Sequence, residues 1–196
     1  MGIDLISNIY PHSGMKKETL VYLIKRDLKR ITEDVRLRTF LKFLIFPKGS
    51  TFPFVFWMRV TQWAKKNPFT KYTIGIIVYS IYNHLSIKHG IHVNENINIG
   101  PGFKIVHSNC VYINCSFIGE NFTIYQGCTL GSQNSDNGRK NIPWVGDNVT
   151  IYTGAVVTGK ITVGNNSVIG ANSYVNKDVL ESTFVAGVPA KMIKRV

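Results

Sequence analysis

The chain has no run of about 20 apolar residues, so nothing in it reads as a membrane-spanning helix; Tyr72 to Ile87 is too short and too polar. It does not open on a charged segment followed by an apolar one, so no secretory leader is expected and a cytoplasmic address is read by default. Cysteine is scarce. Cys110, Cys115 and Cys128 are odd in number and lack paired metal-ligand spacing, which argues against a disulfide framework or a structural zinc site. They read as small packing residues, and no metal is expected. Acidic residues are also few, 11 against 23 Lys and Arg, and the imbalance is local. Residues 1–90 carry 15 basic and 5 acidic side chains, residues 91–196 carry 8 and 6. A basic surface of this kind suits nucleic acid, anionic lipid or a phosphorylated substrate. The lack of any recognisable nucleic-acid-binding module sets the first aside.

What is present is a period of six. Aliphatic residues fall at Ile87, Val93, Ile99, Ile105, Val111, Ile118, Ile124 and Leu130, then at Val145, Ile151, Val157, Val163, Ile169 and Val175. A helix repeats every 3.6 residues and a strand every 2, so neither produces this spacing. A triangular β-coil does: each hexad supplies one short strand and one corner, and three hexads close a turn of about 18 residues. Glycine recurs just after the aliphatic residue, at 100, 119, 131, 146, 164 and 170, with Asn nearby. Both types tolerate the positive-φ corners that a tight coil demands.

Two irregularities break the register. Val111 to Ile118 spans seven residues instead of six, and Leu130 to Val145 spans fifteen, so a loop at 132–143 must leave the coil. Long excursions from a regular scaffold are commonly functional, and this one offers Arg139 and Lys140 to an anionic ligand. Ahead of the coil, Lys17–Thr32 has helical apolar spacing, and Arg36–Ile45, Phe54–Lys65 and about Thr70–Lys88 read as further helices, separated by Pro47, Pro53 and Pro68. The expected division is therefore a helical region over 1–86, loosely ordered in 1–15, and a β-coil domain over 87–196 with a C-terminal tail from 181. The dense aromatic and basic residues of Phe40 to Tyr82 suit packing of the helices onto the first coil, or a peripheral membrane contact through the basic N-terminal helices.

Three motifs carry a family resemblance: Ile105-Val-His107, Gln126-Gly-Cys-Thr-Leu-Gly131, and Val185-Ala-Gly-Val-Pro-Ala-Lys191. The stretch from His92 to Val196 resembles the hexapeptide-repeat acyltransferases, in the serine O-acetyltransferase-like branch that includes many surface-polysaccharide O-acetyltransferases. The resemblance implies an all-β left-handed parallel β-helix with an α-helical N-terminal region, assembled as a homotrimer and using acetyl-CoA. His107 falls where the family keeps its general base. A hydroxyl is too weak an acid to attack a thioester unless a base removes its proton as the bond forms, and imidazole is tuned for neutral pH. The tetrahedral intermediate needs a backbone N–H donor, which the coil could supply near Gly127 or Gly131. By the same resemblance the acetyl-CoA contacts fall on Gly131, Thr153, Gly154, Ala171, Asn176, Lys177 and Lys191. The two lysines would meet phosphate oxygens as point charges.

The departures bear on the acceptor. Strict serine acetyltransferases carry an Asp before the catalytic His, where this chain has Val106, and an orienting Asp fifteen residues upstream, where it has His92. Their second active-site His, just before the loop proline, is missing too, since Asn141 and Ile142 precede Pro143. What orients His107 is left among Glu95, Asn109, a backbone carbonyl and water. Because a polar site selects by leaving the wrong partner unpaired, these losses argue against serine, and together with the family resemblance they favour a sugar hydroxyl of a capsule, lipopolysaccharide or exopolysaccharide precursor, with His92, Arg139 and Lys140 on the acceptor side. The alternative is a serine O-acetyltransferase of cysteine biosynthesis.

Overall fold

A computed structural model describes residues 18–45, 49–66, 68–132 and 141–196. The expectation of loose order in 1–15, the start of the first helix at Lys17, Pro47, and the loop residues Arg139 and Lys140 all lie outside the described residues. Among the described residues five helices come first: α1 (Leu20–Lys29), α2 (Leu37–Ile45), α3 (Phe52–Lys65), α4 (Pro68–Tyr72) and α5 (Gly75–His89). Thr19 caps α1 by accepting from the Tyr22 amide, and Gly90, at φ 59°, ends α5 in the left-handed conformation that a residue without Cβ adopts freely. Pro53 does not separate two helices as expected. It sits in the first turn of α3, where its missing N–H costs nothing. The helix read at Thr70–Lys88 is split in two, because α4 ends at Tyr72 and a new helix begins at Gly75.

From Ile91 onward the chain is a parallel β-helix of short strands: β1 (Ile91–Val93), β2 (Asn98–Ile99), β3 (Lys104–Ile105), β4 (Val111–Ile113), β5 (Phe117–Ile118), β6 (Thr123–Ile124) and β7 (Thr129–Gly131) precede the loop. After it come β8 (Trp144–Val145), β9 (Thr150–Ile151), β10 (Val156–Thr158), β11 (Thr162–Val163), β12 (Val168–Ile169), β13 (Tyr174–Val175), β14 (Thr183–Gly187) and β15 (Ala190–Arg195). Every third strand stacks, giving three faces: β1-β4-β7-β10-β13, β2-β5-β8-β11, and β3-β6-β9-β12-β14 closed by β15. All pairs are parallel except β14 with β15. The tail from 181 is thus a last strand and an antiparallel return that covers the edge of the third face.

The aliphatic position of every hexad from Val93 to Val175 is at most 3% exposed. Ile87 is the exception: it belongs to α5 and is 76% exposed, since the helix runs to His89 before the coil begins. A second interior column lies two residues ahead of the first, with Ile97, Phe103, Phe122, Cys128, Val149 and Ala155 all buried. Cys115 and Cys128 pack inside as expected, whereas Cys110 is exposed at a corner with φ 54°.

The recurrent glycines play a different part from the one expected. Gly100, Gly119, Gly146, Gly164 and Gly170 do not have positive φ; a Cβ on Gly119 would come within 2.2 Å of Asp147 Oδ1 and 2.7 Å of the Gly146 carbonyl carbon. They are small because coils stack there. The left-handed conformation falls two residues later, on Asn121, Asn148, Asn166 and Asn172. Three of these form a ladder, Asn121 donating to Asn148 and Asn148 to Asn166, each at 3.0 Å.

The helices close the N-terminal end of the coil by taking up its free carbonyls. Ser86, Tyr82 and Gln62 donate to the carbonyls of Ile91, Val93 and Ile97, and Thr51 donates to that of Ile105 at 2.6 Å. Arg59 donates to the carbonyls of Ile99 and Gly100 at 2.6 and 2.7 Å and also pairs with Asp27 at 2.9 Å. Asp27 in turn accepts from the amides of Gly102 and Phe103, both at 2.8 Å. This pair is fully buried, and it ties α1 and α3 to the first coil. Burial lifts the Asp27 carboxyl above its ordinary pKa, against the pull of Arg59 and the two amides.

Candidate functional site

His107 follows β3 at the corner between the third and first faces, with its side chain exposed. Its imidazole meets the edge of the Tyr125 ring at 6.3 Å between centroids, and Tyr125 packs on Tyr152 at 5.0 Å. These rings climb one edge of the prism because the corners stack in register. The Gly127 amide donates to the Asn109 carbonyl at 3.1 Å, Gly154 to Gln126 at 3.0 Å, and Asn172 to Thr153 at 2.8 Å. His107, Thr153, Gly154 and Ala171 therefore share a single column. Gly154, at φ 72°, needs to be glycine, since a Cβ there would come within 2.2 Å of Asn172 Oδ1.

The other proposed contacts lie elsewhere. Asn176 and Lys177 are exposed at the corner after β13, on the far side of the first face. Gly131 ends β7 on that side, where the loop departs. Among the described residues a Cβ on Gly131 would meet the Tyr112 ring alone, at 3.8 Å, so glycine there keeps the outer surface of the first face low. His92 lies exposed on the same face, stacked on Tyr112 at 5.1 Å and 11°. Lys191 is exposed on β15, opposite Ala186.

Two expectations about the neighbourhood of His107 change. Glu95 is not free to orient it: its carboxylate is 2.5 Å from Lys65 Nζ. Burial pushes the Glu95 carboxyl up, but the hydrogen bond from Lys65 and its charge outweigh this and hold the group below its ordinary pKa. The Gly127 N–H, a candidate oxyanion donor, is already committed to Asn109. Among the described residues no cluster of three or more His, Cys, Asp or Glu could hold a metal ion.

Beside His107 opens a cleft of about 380 Å³ between the coil and the helical region. Lys104, Ile105 and Val106 form its coil wall; Lys42 and Phe43 of α2, Ser50 and Thr51 line it from the other side. The hydrogen bond from Thr51 to Ile105 holds the two walls together. Lys42, Lys104, Tyr125 and Tyr152 are residues that sequence reasoning passed over. A signal existed for the tyrosines: where six of the fourteen hexads place Gly after the aliphatic residue, Ile124 and Ile151 are followed by Tyr.

Comparison with known proteins agrees with this architecture. The family model "Bacterial transferase hexapeptide (six repeats)" matches residues 143–177, which defines the class as a hexapeptide-repeat transferase. A serine acetyltransferase of Bacillus pumilus is 40% identical over 106 residues, covering 53% of this chain and 48% of the relative. One of Staphylococcus xylosus is 33% identical over 178 residues, covering 86% of this chain and 78% of the relative. The crystal structure of Neisseria gonorrhoeae serine acetyltransferase in complex with serine superposes with a TM-score of 0.69 at 30% identity, over 89% of this chain and 69% of that one. The chain belongs to the serine acetyltransferase family. It spans about half the length of the first Bacillus relatives it matches.

This overturns the expectation of a sugar acceptor and a role in surface-polysaccharide synthesis. The expectation rested on the family resemblance and on missing serine-contacting groups, whereas the relatives and solved structures compared above are serine acetyltransferases. The absence of certain contacts says which interactions are lost, not which substrate replaces the one they served.

Proposed function

We propose that the protein is an acetyl-CoA-dependent O-acetyltransferase whose acceptor is L-serine and whose general base is His107. The observation that carries this reading is the exposed imidazole at the mouth of a cleft, on a chain of the serine acetyltransferase family. Acetyl-CoA supplies an acetyl group already activated as a thioester. His107 accepts the serine hydroxyl proton as the oxygen bonds to the acetyl carbon. The carbon–sulfur bond then breaks, and the imidazolium returns its proton to the departing sulfur, giving O-acetylserine and CoA. Such base assistance is worth roughly 10²–10⁴-fold in rate.

The corner column of Thr153, Gly154 and Ala171 is assigned to the narrow pantetheine arm, supported by its place on the same edge of the prism as His107. Asn176, Lys177 and Lys191 are assigned to the nucleotide end. Gly131 gives room on the first face, where it lies opposite Thr158 of the neighbouring coil.

A homotrimer is part of the proposal, since a closed threefold ring lets neighbouring prisms wall each groove. A cytoplasmic enzyme touching the inner membrane surface is supported by one local feature. Phe69, Tyr72, Ile76 and Ile77 are exposed beside Lys71, and no Asp or Glu occurs between Asp34 and Glu95. Among the described residues, no helix is long and apolar enough to cross a membrane.

The test is to incubate purified protein with acetyl-CoA and L-serine and to measure O-acetylserine by mass spectrometry together with free thiol. Product and thiol in equal amounts are expected. Thiol released at the same rate without serine, and no acetylated product, would refute the reading.

A further inference from the structure

We infer that the cleft beside His107 selects its acceptor through the acceptor's carboxylate, held by Lys104 and Lys42, and that its described residues offer no counter-ion to an α-ammonium group. The inference rests on the acyl-transfer reading above and names the chemistry by which that site recognises its acceptor. Both lysines line the cleft, Lys104 three residues before His107 on the coil wall and Lys42 on the facing helix α2. Neither makes an ion pair or side-chain hydrogen bond with another described residue. Lys104 is moreover half-buried in the coil wall of the cleft.

Among the described residues that line the cleft there is no carboxylate. Of the acids around it, Asp34 is held by Arg36 and Thr39, Asp27 by Arg59 and Glu95 by Lys65, and the exposed Glu33 is not among the lining residues. The remaining polar groups are the hydroxyls of Ser50 and Thr51. Thr51 already donates to Ile105, and Ser50 accepts from the Phe52 amide. The other walls are apolar, from Ile31, Phe43, Ile105 and Val106. An acceptor entering with a carboxylate on the lysines thus gains charge-assisted hydrogen bonds, whereas an ammonium meets two like charges and, among the described lining residues, no counter-ion. The acceptor class that follows is a short hydroxy acid, of which serine is one member and its ammonium a tolerated substituent.

Two truncations of serine separate its charged groups. 3-Hydroxypropanoate keeps the carboxylate and lacks the ammonium; ethanolamine keeps the ammonium and lacks the carboxylate. With wild-type enzyme and saturating acetyl-CoA, kcat/KM for 3-hydroxypropanoate is expected within about tenfold of that for L-serine, and that for ethanolamine at least about a hundredfold lower. Lys104→Gln should raise the KM for both acids at least about tenfold and leave the KM for acetyl-CoA unchanged, while Lys104→Arg keeps most of the affinity. Ethanolamine used as well as serine, or 3-hydroxypropanoate rejected a hundredfold, would overturn the inference. Calorimetric titration of both acids onto wild type and Lys104→Gln reads binding without turnover. Binding lost in the variant, with no acetyl transfer by the wild type, would sustain the lysine subsite and refute the acyl-transfer reading. Transfer to serine with no dependence on Lys104 would do the reverse.

Discussion

Replacing Arg59 by Met removes four hydrogen bonds at once, two to Asp27 and one each to the carbonyls of Ile99 and Gly100. The methionine fills much of the same space, so the cost comes from what is left behind, a buried carboxylate and two buried carbonyls without their donor. Breaking one side of a buried pair costs about 3–5 kcal/mol. For a chain of this size each kcal/mol moves Tm by about 2–4 °C, so a fall of about 6–20 °C is expected by calorimetry or circular dichroism. The loss should depend on pH. Burial already lifts the Asp27 carboxyl, and without Arg59 it rises further. A group whose folded pKa is raised contributes stability that is complete below its unfolded value and is lost as pH rises through the folded one. The variant's deficit should therefore be smallest near pH 4 and grow toward neutrality. Adding Asp27→Asn removes the stranded charge and keeps an acceptor for the Gly102 and Phe103 amides, so at neutral pH the double variant should recover at least about half the loss. An Arg59→Met protein that melts within about 2 °C of wild type would refute the idea that this pair clamps the helices to the coil.

Gly119→Ala should destabilise the coil by about 1–3 kcal/mol, because its new Cβ would sit against Asp147 and Gly146. Among the described residues Gly131→Ala meets the Tyr112 ring alone and should melt with the wild type, while its KM for acetyl-CoA rises. Co-sedimentation with vesicles tests the membrane contact. Binding is expected to phosphatidylglycerol vesicles and not to phosphatidylcholine alone, and Lys71→Glu together with Ile77→Glu should abolish it. Equal pelleting with neutral vesicles, or a patch buried instead between copies of the chain, would count against that contact.

Much of the coil was legible in the sequence because its period is imposed by geometry at every turn: a hexad residue that is not aliphatic would leave a hole in a column only one side chain wide. Ile87 fits the count yet lies on α5, since periodicity alone does not say where a helix hands over to a strand. The second interior column escaped notice because it mixes Phe103, Ala155 and the buried Ser167 and Ser173, which share position but not chemistry. Glycine recurrence was seen, but its cause was misassigned, because crowding between stacked coils and positive φ both select small residues. The Asp27–Arg59 clamp was not legible at all. It joins residues 32 apart through tertiary packing, and no local pattern encodes such a meeting. The site divides similarly. His107 stood out by motif, whereas Lys42 and Lys104 are ordinary surface lysines until the helices fold beside the coil.

The central claim is that His107 removes the acceptor's proton, and His107→Ala tests it most directly. With CoA affinity measured by calorimetry and assembly by light scattering both unchanged, acetyl transfer to L-serine is predicted to fall at least about a hundredfold. Turnover that stays at the wild-type level in a variant still able to bind CoA would contradict the account.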